Sequence, residues 1–340
     1  MTEVIPTSKQ LHDFIDDLEK CLGYEYEGKI DCDRIVLCGM GGSAISGNIV
    51  ADCCLALSKI PIIVSMNACL PNWVDEKTLL VVSSYSGNTL ETLEAYKQSL
   101  SIGCKRVVIT AGGHLEKLAK KYKDSLIMLP DNLHPRHSIG YMIGYIFGVI
   151  RAATGLRSPQ DMTLSVMDSL REYRDSLEDR NGLAMRLARG YVNHIPVICS
   201  YSNIQSIVFR WKTQFNENSK YVAFCTTITE FVYSDLKGWV NGQRPNYSLT
   251  IIVDDEKCIG DDIYASKLIG YLKDHRVDYR LVSLGGKTSS ENMFRALMLG
   301  DYVSMYMAEI QGVDPSGVPP ITSLKKKLKP VIEETVNEML

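Results

Sequence analysis

The chain has 340 residues, of which 45% are hydrophobic and 23% charged, so it is long enough for two α/β domains and has a globular composition. Its formal net charge of -3 and pI near 6.1 provide no basic field for nucleic acid or an anionic membrane. No apolar run is long enough to cross a bilayer and Met1–Leu11 lacks an apolar stretch, so we expect a cytoplasmic protein with no membrane partner.

The ten cysteines do not form the patterns that bind metals or build disulfide frameworks. No Cys-x-x-Cys pair occurs, so we expect no metal site. Cys38, Cys199 and Cys225 lie in apolar, strand-like runs, where a free thiol behaves as a small hydrophobic group. Free thiols in a reducing compartment are therefore expected.

The first half of the chain alternates β-branched runs with helical patterns, which predicts a mostly parallel sheet flanked by helices. The predicted strands are Arg34–Cys38, Ile60–Ser65, Thr78–Ser83, Lys105–Thr110 and Leu126–Leu129. The predicted helices are Ser43–Leu57, Thr89–Leu100, His114–Tyr122 and His137–Thr154, the last with a glycine-rich apolar face.

In the second half of the chain this alternation first weakens and then resumes, which predicts a second α/β domain. Charged helices at Met162–Tyr173 and Arg180–Arg189 indicate a connector. The elements predicted after it are the strands His194–Ser200, Val222–Thr226, Ser248–Val253 and Tyr279–Ser283, and the helices Ile204–Asn218, Asp261–Asp274, Glu291–Gln311 and Ile321–Leu340. We expect domains at residues 1–155 and 191–318, a helical connector at 156–190 and a C-terminal helix at 319–340.

A glycine-rich loop follows the first predicted strand and leads directly into a helix, in the sequence Gly39-Met40-Gly41-Gly42-Ser43. Glycines let the backbone turn sharply, and free N–H groups at a helix start attract an anion. The spacing fits neither the dinucleotide fingerprint nor a Walker A loop. Taken alone, this loop is a weak indication of a ligand.

A second loop follows the strand Thr78–Ser83, in the sequence Ser84-Tyr85-Ser86-Gly87-Asn88-Thr89. Hydroxyls at positions 84, 86 and 89, next to a glycine and a helix start, suit one tetrahedral oxyanion. Asn88 or Thr89 alone would suit a simple helix cap, but a capped turn needs one hydroxyl and not three together with a glycine. Both loops follow strand carboxyl ends, where open α/β sheets bind ligands, so together they predict a phosphate site.

Both loops resemble those of the sugar isomerase (SIS) domain, and the chain as a whole resembles the archaeal and bacterial bifunctional phosphoglucose/phosphomannose isomerases. Further matches are Pro135-Arg136, the run Phe215–Lys220, the run Ala308–Pro315, and Ile321–Lys325. The resemblance implies two SIS-type domains with a C-terminal helix, a homodimer, and no metal or organic cofactor.

The resemblance also implies a reaction, the interconversion of glucose 6-phosphate and mannose 6-phosphate with fructose 6-phosphate through an enediolate. Gly41, Gly42, Ser43, Ser84, Ser86 and Thr89 would hold the sugar phosphate. Arg136 would stabilise the enediolate, Glu217 would move the proton between C1 and C2, and Lys325 would assist at the ring oxygen. An aldose–ketose isomerase needs such a carboxylate and such a cation. The local sequence alone suits a polar helix end at Glu217, a salt-bridging residue at Arg136 and a solvated face at Lys325.

The chain departs from the family at the position that opens the sugar ring. Counting forward from Glu217, Tyr233 stands where the family has histidine, and Thr229 and Ser234 replace a proline and an asparagine. A tyrosine's reference pKa is about 10, which makes it a poor base at neutral pH.

Several outcomes remain open at this position. Tyr233 opens the ring, His134 or His137 beside Arg136 does so, the substrate is already open, or the enzyme is slow. A changed sugar phosphate substrate is a further outcome. In the remaining one, the chain binds a sugar phosphate without turnover.

Overall fold

The computed structural model describes residues 7–156, 164–242, 246–253, 261–317 and 319–340. The chain divides into two compact units, residues 1–160 with 318–340, and residues 161–317. Each unit is a parallel sheet with helices, which confirms the expected α/β class. No helix within the described ranges is both long and apolar enough to cross a membrane.

The first unit contains a five-stranded parallel sheet in the order β2-β1-β3-β4-β5. Its strands are β1 (Arg34–Cys38), β2 (Ile62–Ser65), β3 (Thr78–Ser83), β4 (Lys105–Thr110) and β5 (Ser125–Met128). Its helices are α1 (Thr7–His12), α2 (Phe14–Leu22), α3 (Gly42–Cys54), α4 (Leu90–Ile102), α5 (Gly113–Tyr122) and α6 (Ile139–Thr154). All six residues of β3 are buried, as expected for a central parallel strand covered on both faces.

The glycine-rich face of α6 packs against α2. A side-chain carbon added at Gly144 would lie 2.4 Å from Cys21 Cβ, and one added at Gly148 would lie 2.6 Å from the Tyr24 ring. Gly140 makes the same kind of approach to the backbone of α2, 3.0 Å from the Phe14 carbonyl oxygen. The glycines therefore let the two helices approach closely, and a larger residue would force them apart.

Asp17 lies in this contact, and its burial raises the pKa from the usual 3.8 to about 6 despite a hydrogen bond with Tyr141. The folded state therefore binds this proton more tightly than the unfolded chain does. The stability that the protonated Asp17 side chain contributes is complete below pH 3.8 and is lost as pH rises through about 6.

We expect Asp17→Asn, which cannot lose a proton, to be more stable than the wild type near pH 8 and nearly equal to it near pH 4. Urea unfolding at the two pH values measures the difference. Asp16→Asn, at an exposed neighbouring carboxylate, is the matched control and should change stability little. A pH-independent effect of Asp17→Asn would contradict the assignment.

The C-terminal helix α14 (Pro319–Asn337) belongs to the first unit, where it packs along α4. Ile332, Val336 and Met339 join the core on that side of the sheet. The Thr335 hydroxyl donates to Glu94 at 2.6 Å, and the Tyr122 hydroxyl donates to the Met339 carbonyl at 2.6 Å. The last third of α14 is thus docked, whereas residues 319–327 are exposed.

The second unit contains a four-stranded parallel sheet in the order β7-β6-β8-β9. Its strands are β6 (Ile195–Ser200), β7 (Phe224–Thr227), β8 (Tyr247–Val253) and β9 (Tyr279–Ser283). Its helices are α7 (Leu164–Glu178), α8 (Leu183–Tyr191), α9 (Gln205–Glu217), α10 (Ile228–Glu230), a π-helical turn (Phe231–Asp235), α11 (Leu236–Asn241), α12 (Asp261–Asp274) and α13 (Ser289–Gln311). Helices α7, α8 and α9 pack on the long, largely buried α13.

The observed elements differ from the predicted ones in a few places. The predicted helix His137–Thr154 begins at Ile139, because Pro135–His137 forms a separate 3-10 turn. The helix expected at Arg180–Arg189 begins later, at Leu183, after Gly182. Met162, the expected start of the preceding helix, lies outside the described residues. The sequence prediction also lacks α1, α2 and the helical run between β7 and β8.

Candidate active site

The first loop lies directly against the beginning of the second. A side-chain carbon added at Gly39 would lie 2.9 Å from Ser83 Oγ and 3.0 Å from the Ser83 carbonyl oxygen, so only glycine fits there. Gly41 has a φ of 55°, in the left-handed region that favours glycine. Helix α3 begins at Gly42, and the side chain of Ser43 in its first turn is buried.

The second loop is fixed by its own glycine and by a neighbouring turn. Gly87 has a φ of 63°, and an added side-chain carbon would lie 1.8 Å from the Gly112 carbonyl oxygen. The hydroxyl oxygens of Ser84 and Thr89 lie 2.9 Å apart. Ser84 is buried and Ser86 is exposed, with its hydroxyl accepting the Asn88 N–H at 3.3 Å.

Capping of α4 does not explain the hydroxyl of Thr89. Thr89 occupies the position before α4, but its side chain makes no capping hydrogen bond and lies instead beside Ser84. The Asn88 side chain accepts the His114 N–H at 3.0 Å, at the start of α5. The hydroxyls of Ser84 and Thr89 therefore face each other at the start of α4, an arrangement that suits an anion.

The structure brings Arg136 to the first loop. A side-chain carbon added at Gly42 would lie 3.6 Å from both the Arg136 Cα and the Pro135 carbonyl oxygen. Arg136 is buried, in the short turn between β5 and α6. His137 is buried next to it, and its ring centroid lies 6.0 Å from that of His134. A cation and two imidazoles thus accompany the loops within one unit.

Tyr85, which the motif does not single out, joins the second loop to the chain before Arg136. Its hydroxyl donates to the Pro130 carbonyl at 2.8 Å and accepts the Leu133 N–H at 2.9 Å. An aromatic residue between two loop serines was the available signal in the sequence. Burial raises the pKa of this phenol, which keeps it protonated and able to donate.

Glu217 is the last residue of α9 in the second unit, and it is partly buried. Its backbone carbonyl accepts a hydrogen bond from Lys220 Nζ at 2.5 Å. The next residue, Asn218, is fully buried and donates to Ser304 Oγ of α13 at 2.9 Å. The side chain after the helix end is therefore anchored in the core, which fixes the point at which the carboxylate leaves the helix.

Two turns earlier, a buried ion pair holds α9 against α13. Arg210 Nε and Nη2 donate to the two carboxylate oxygens of Asp301 at 2.9 and 2.7 Å. Both side chains are almost completely buried. Because the guanidinium and the carboxylate meet in a fork, the pair fixes the register of the helix that ends at Glu217.

Tyr233 is 75% exposed and lies in the π-helical turn of the second unit. Its hydroxyl lies 2.9 Å from that of Tyr264 on α12. Ser234, next to it, donates to the Glu230 carboxylate at 2.6 Å. The replacements at positions 233 and 234 are thus integrated into local contacts.

Lys325 is exposed on the first half of α14, together with Lys326 and Lys327. It belongs to the first unit, as do the two loops and Arg136, whereas Glu217 and Tyr233 belong to the second. Among the described residues, no group of three or more His, Cys, Asp or Glu side chains is arranged to hold a metal ion.

Comparisons with known proteins show the fold class to which the chain belongs. A family model described as the bacterial phospho-glucose isomerase C-terminal SIS domain matches residues 180–328. A solved structure of a hypothetical protein from Thermus thermophilus superimposes with a TM-score of 0.76 at 15% identity, covering 96% of this chain and 90% of that one. At this identity the likeness shows the fold alone. The chain is an SIS-type α/β protein.

Two curated relatives make the assignment narrower. The bifunctional phosphoglucose/phosphomannose isomerase of Caldicellulosiruptor bescii is 35% identical over 313 residues, covering 88% of this chain and 90% of the relative. The enzyme of that name from Thermoplasma volcanium is 31% identical over 299 residues, covering 87% and 91%. The chain belongs to the bifunctional phosphoglucose/phosphomannose isomerase family, which confirms the resemblance expected from the sequence.

Proposed function

We propose that this chain is an aldose–ketose isomerase that interconverts glucose 6-phosphate and mannose 6-phosphate with fructose 6-phosphate. The observation that carries the proposal is the meeting of two hydroxyl- and glycine-lined loops with the buried Arg136 in one unit. Family membership supports the choice of substrate. Loops of this composition at strand ends suit a phosphate, and the neighbouring cation suits a reacting centre that becomes negative.

In the proposed reaction, the phosphate is held by Gly41, Gly42, Ser43, Ser84, Ser86 and Thr89. The Glu217 carboxylate removes the proton from C2 of the open-chain aldose and returns it to C1, while the proton of the O2 hydroxyl passes to O1, so that the carbonyl moves from C1 to C2. Arg136 stabilises the negative enediolate oxygen between the two proton transfers. Lys325 assists at the ring oxygen, and Tyr233 occupies the ring-opening position.

A panel of hexose and pentose phosphates, each assayed for isomerisation by the full chain, tests the function. We expect turnover of the three proposed hexose phosphates. Ser84→Ala should raise KM by roughly tenfold with little change in kcat, because phosphate contacts act equally on ground and transition states. Ser101→Ala, in the last turn of α4, is the control. An unchanged KM in Ser84→Ala would remove Ser84 from the phosphate site.

One observation favours a second candidate function. Tyr233 is exposed and paired with Tyr264, and a phenol is a poor base for opening a sugar ring. The alternative is a sugar phosphate-binding or regulatory protein, or an isomerase of another sugar phosphate. Binding by calorimetry without turnover of any panel member would establish the binding protein. A large gain of glucose 6-phosphate turnover in Tyr233→His would show that ring opening limits the wild type.

We further propose that the protein is cytoplasmic, as expected from its sequence, and a homodimer, as the resemblance implies. The exposed first half of α14, with Ile321 and Leu324, supports a partner on that surface. Light scattering during size exclusion measures the oligomeric state. The organisation into SIS-type domains at 1–155 and 191–318, a connector at 156–190 and a C-terminal helix at 319–340 also stands as a proposal.

A further inference from the structure

The turn that carries Arg136 is held by side chains from two distant parts of the first unit. The consecutive N–H groups of Leu133 and His134 donate to the Tyr85 hydroxyl at 2.9 Å and to Gln10 Oε1 at 2.7 Å. Tyr85 lies in the second loop, and Gln10 lies on α1. Both acceptors thus bind the backbone just before Pro135-Arg136.

Neither contact is needed to form local secondary structure. Tyr85 is 48 residues from Leu133, and Gln10 is 124 residues from His134. Gln10 is 2% exposed, so burying its amide has a cost that the bond to His134 offsets. Residues 130–134 form no helix or strand, so their position depends on such side chains.

We propose that Tyr85 and Gln10 are positioning residues that hold Arg136 at the reacting centre, and that Tyr85 links this placement to the loop that takes the phosphate. The proposal rests on the proposed function, because it assigns the effect of both residues to Arg136. The two residues form the Tyr85–Gln10 clamp.

The link through Tyr85 is short. The residues on each side of it are Ser84 and Ser86, and the Tyr85 carbonyl accepts the Ala111 N–H at 3.0 Å, which fixes its backbone. A phosphate that orders the loop hydroxyls therefore also orders the phenol. The phenol holds Leu133, three residues before Arg136. A displacement of about 1 Å at a reacting group costs on the order of a hundredfold in rate, so loss of the clamp should appear in kcat.

The first experiment removes the phenol's hydrogen bonds and keeps its ring. Tyr85→Phe should lower kcat roughly tenfold or more, whereas the inhibition constant of inorganic phosphate should change less than about twofold. Gln10→Leu, which removes the other acceptor, should likewise lower kcat and leave the inhibition constant of phosphate nearly unchanged. It replaces Tyr85→Phe in the test if that variant folds poorly. Tyr122→Phe, which removes a hydroxyl bonded to the Met339 carbonyl, is the matched control and should keep the wild-type kcat.

The second experiment asks whether the effect passes through Arg136. In an Arg136→Lys background, Tyr85→Phe should lower kcat less than about twofold further, since the group it positions is already altered. An equal loss in both backgrounds, or a parallel loss of phosphate affinity, would show a general structural role and overturn the proposal. An unchanged kcat in Tyr85→Phe would overturn it as well.

A third measurement does not depend on turnover and separates this inference from the proposed function. Hydrogen exchange at residues 130–138 should become faster in Tyr85→Phe and in Gln10→Leu, and remain at the wild-type rate in Tyr122→Phe. If the wild type isomerises no sugar phosphate, the proposed function fails while exchange still reports on the clamp. If exchange is unchanged in both variants, the clamp itself is refuted.

Discussion

Glu217→Gln should lower kcat for glucose 6-phosphate isomerisation by roughly a thousandfold, because the amide keeps the shape of the carboxylate but cannot accept the C2 proton. KM should change little, since the proposed phosphate site is built from other residues. An enzyme-coupled assay of isomerisation on the purified protein measures kcat and KM.

The substitution should leave the fold intact. Glu217 is partly exposed at the end of α9, and glutamine has nearly the same size as glutamate. Glu172→Gln, at an exposed position on α7, is the matched control and should keep full activity. If Glu217→Gln retains more than about a tenth of the wild-type kcat, the base has been assigned to the wrong residue.

The largest effect on stability is expected at the ion pair between Arg210 and Asp301. Asp301→Ala leaves a guanidinium in the core without its carboxylate and should lower the free energy of unfolding by about 3–5 kcal/mol. Urea unfolding followed by tryptophan fluorescence suits the measurement, since Trp211 lies next to Arg210 and is fully buried.

Two further variants distinguish this pair from an ordinary surface contact. Glu309→Ala breaks the ion pair between Arg180 and Glu309, in which both side chains are more than half exposed. This substitution should lower the free energy of unfolding by less than about 1 kcal/mol. The double variant Arg210→Met with Asp301→Leu should recover most of the lost stability, because no charge then remains buried. A loss equal to that of the single variant would mean that packing, not charge, dominates there.

Much of the sheet could be predicted from the sequence, because buried parallel strands are continuous apolar runs bounded by loops. The bounds of β1, β3 and β4 agree with the predicted Arg34–Cys38, Thr78–Ser83 and Lys105–Thr110. The strand order could not be read in this way, since it depends on crossovers between distant segments. The predicted strand Ile60–Ser65 begins two residues late, at Ile62, after Pro61.

The missed helices have different physical causes. In α2, Phe14, Ile15, Leu18, Cys21 and Leu22 are buried, so an apolar face was present in the sequence. Between β7 and β8 the run changes from an α-helical to a π-helical turn and back, which breaks the regular apolar spacing over Phe231–Asp235. Periodicity is able to find the first kind of helix and fails on the second.

The candidate site also has features that the sequence predicts and features that it does not. The positions of both loops at strand ends follow from the order of elements, and the glycines of the first loop indicate a close approach. The hydrogen bonds from Leu133 to Tyr85 and from His134 to Gln10 join residues far apart in the chain, and the residue types involved are common in any turn. Such contacts become visible only when the fold is known.

The docking of α14 on α4 has a consequence for the order in which the protein matures on the ribosome. The first unit takes residues from both chain ends, with 161–317 inserted between its two parts. Ile332, Val336 and Met339, which join its core, are therefore synthesised only after the whole of the second unit. The unit that emerges first is thus completed only after the second unit has been made, and until then the surface of α4 that α14 covers stays open to chaperones and to other nascent chains.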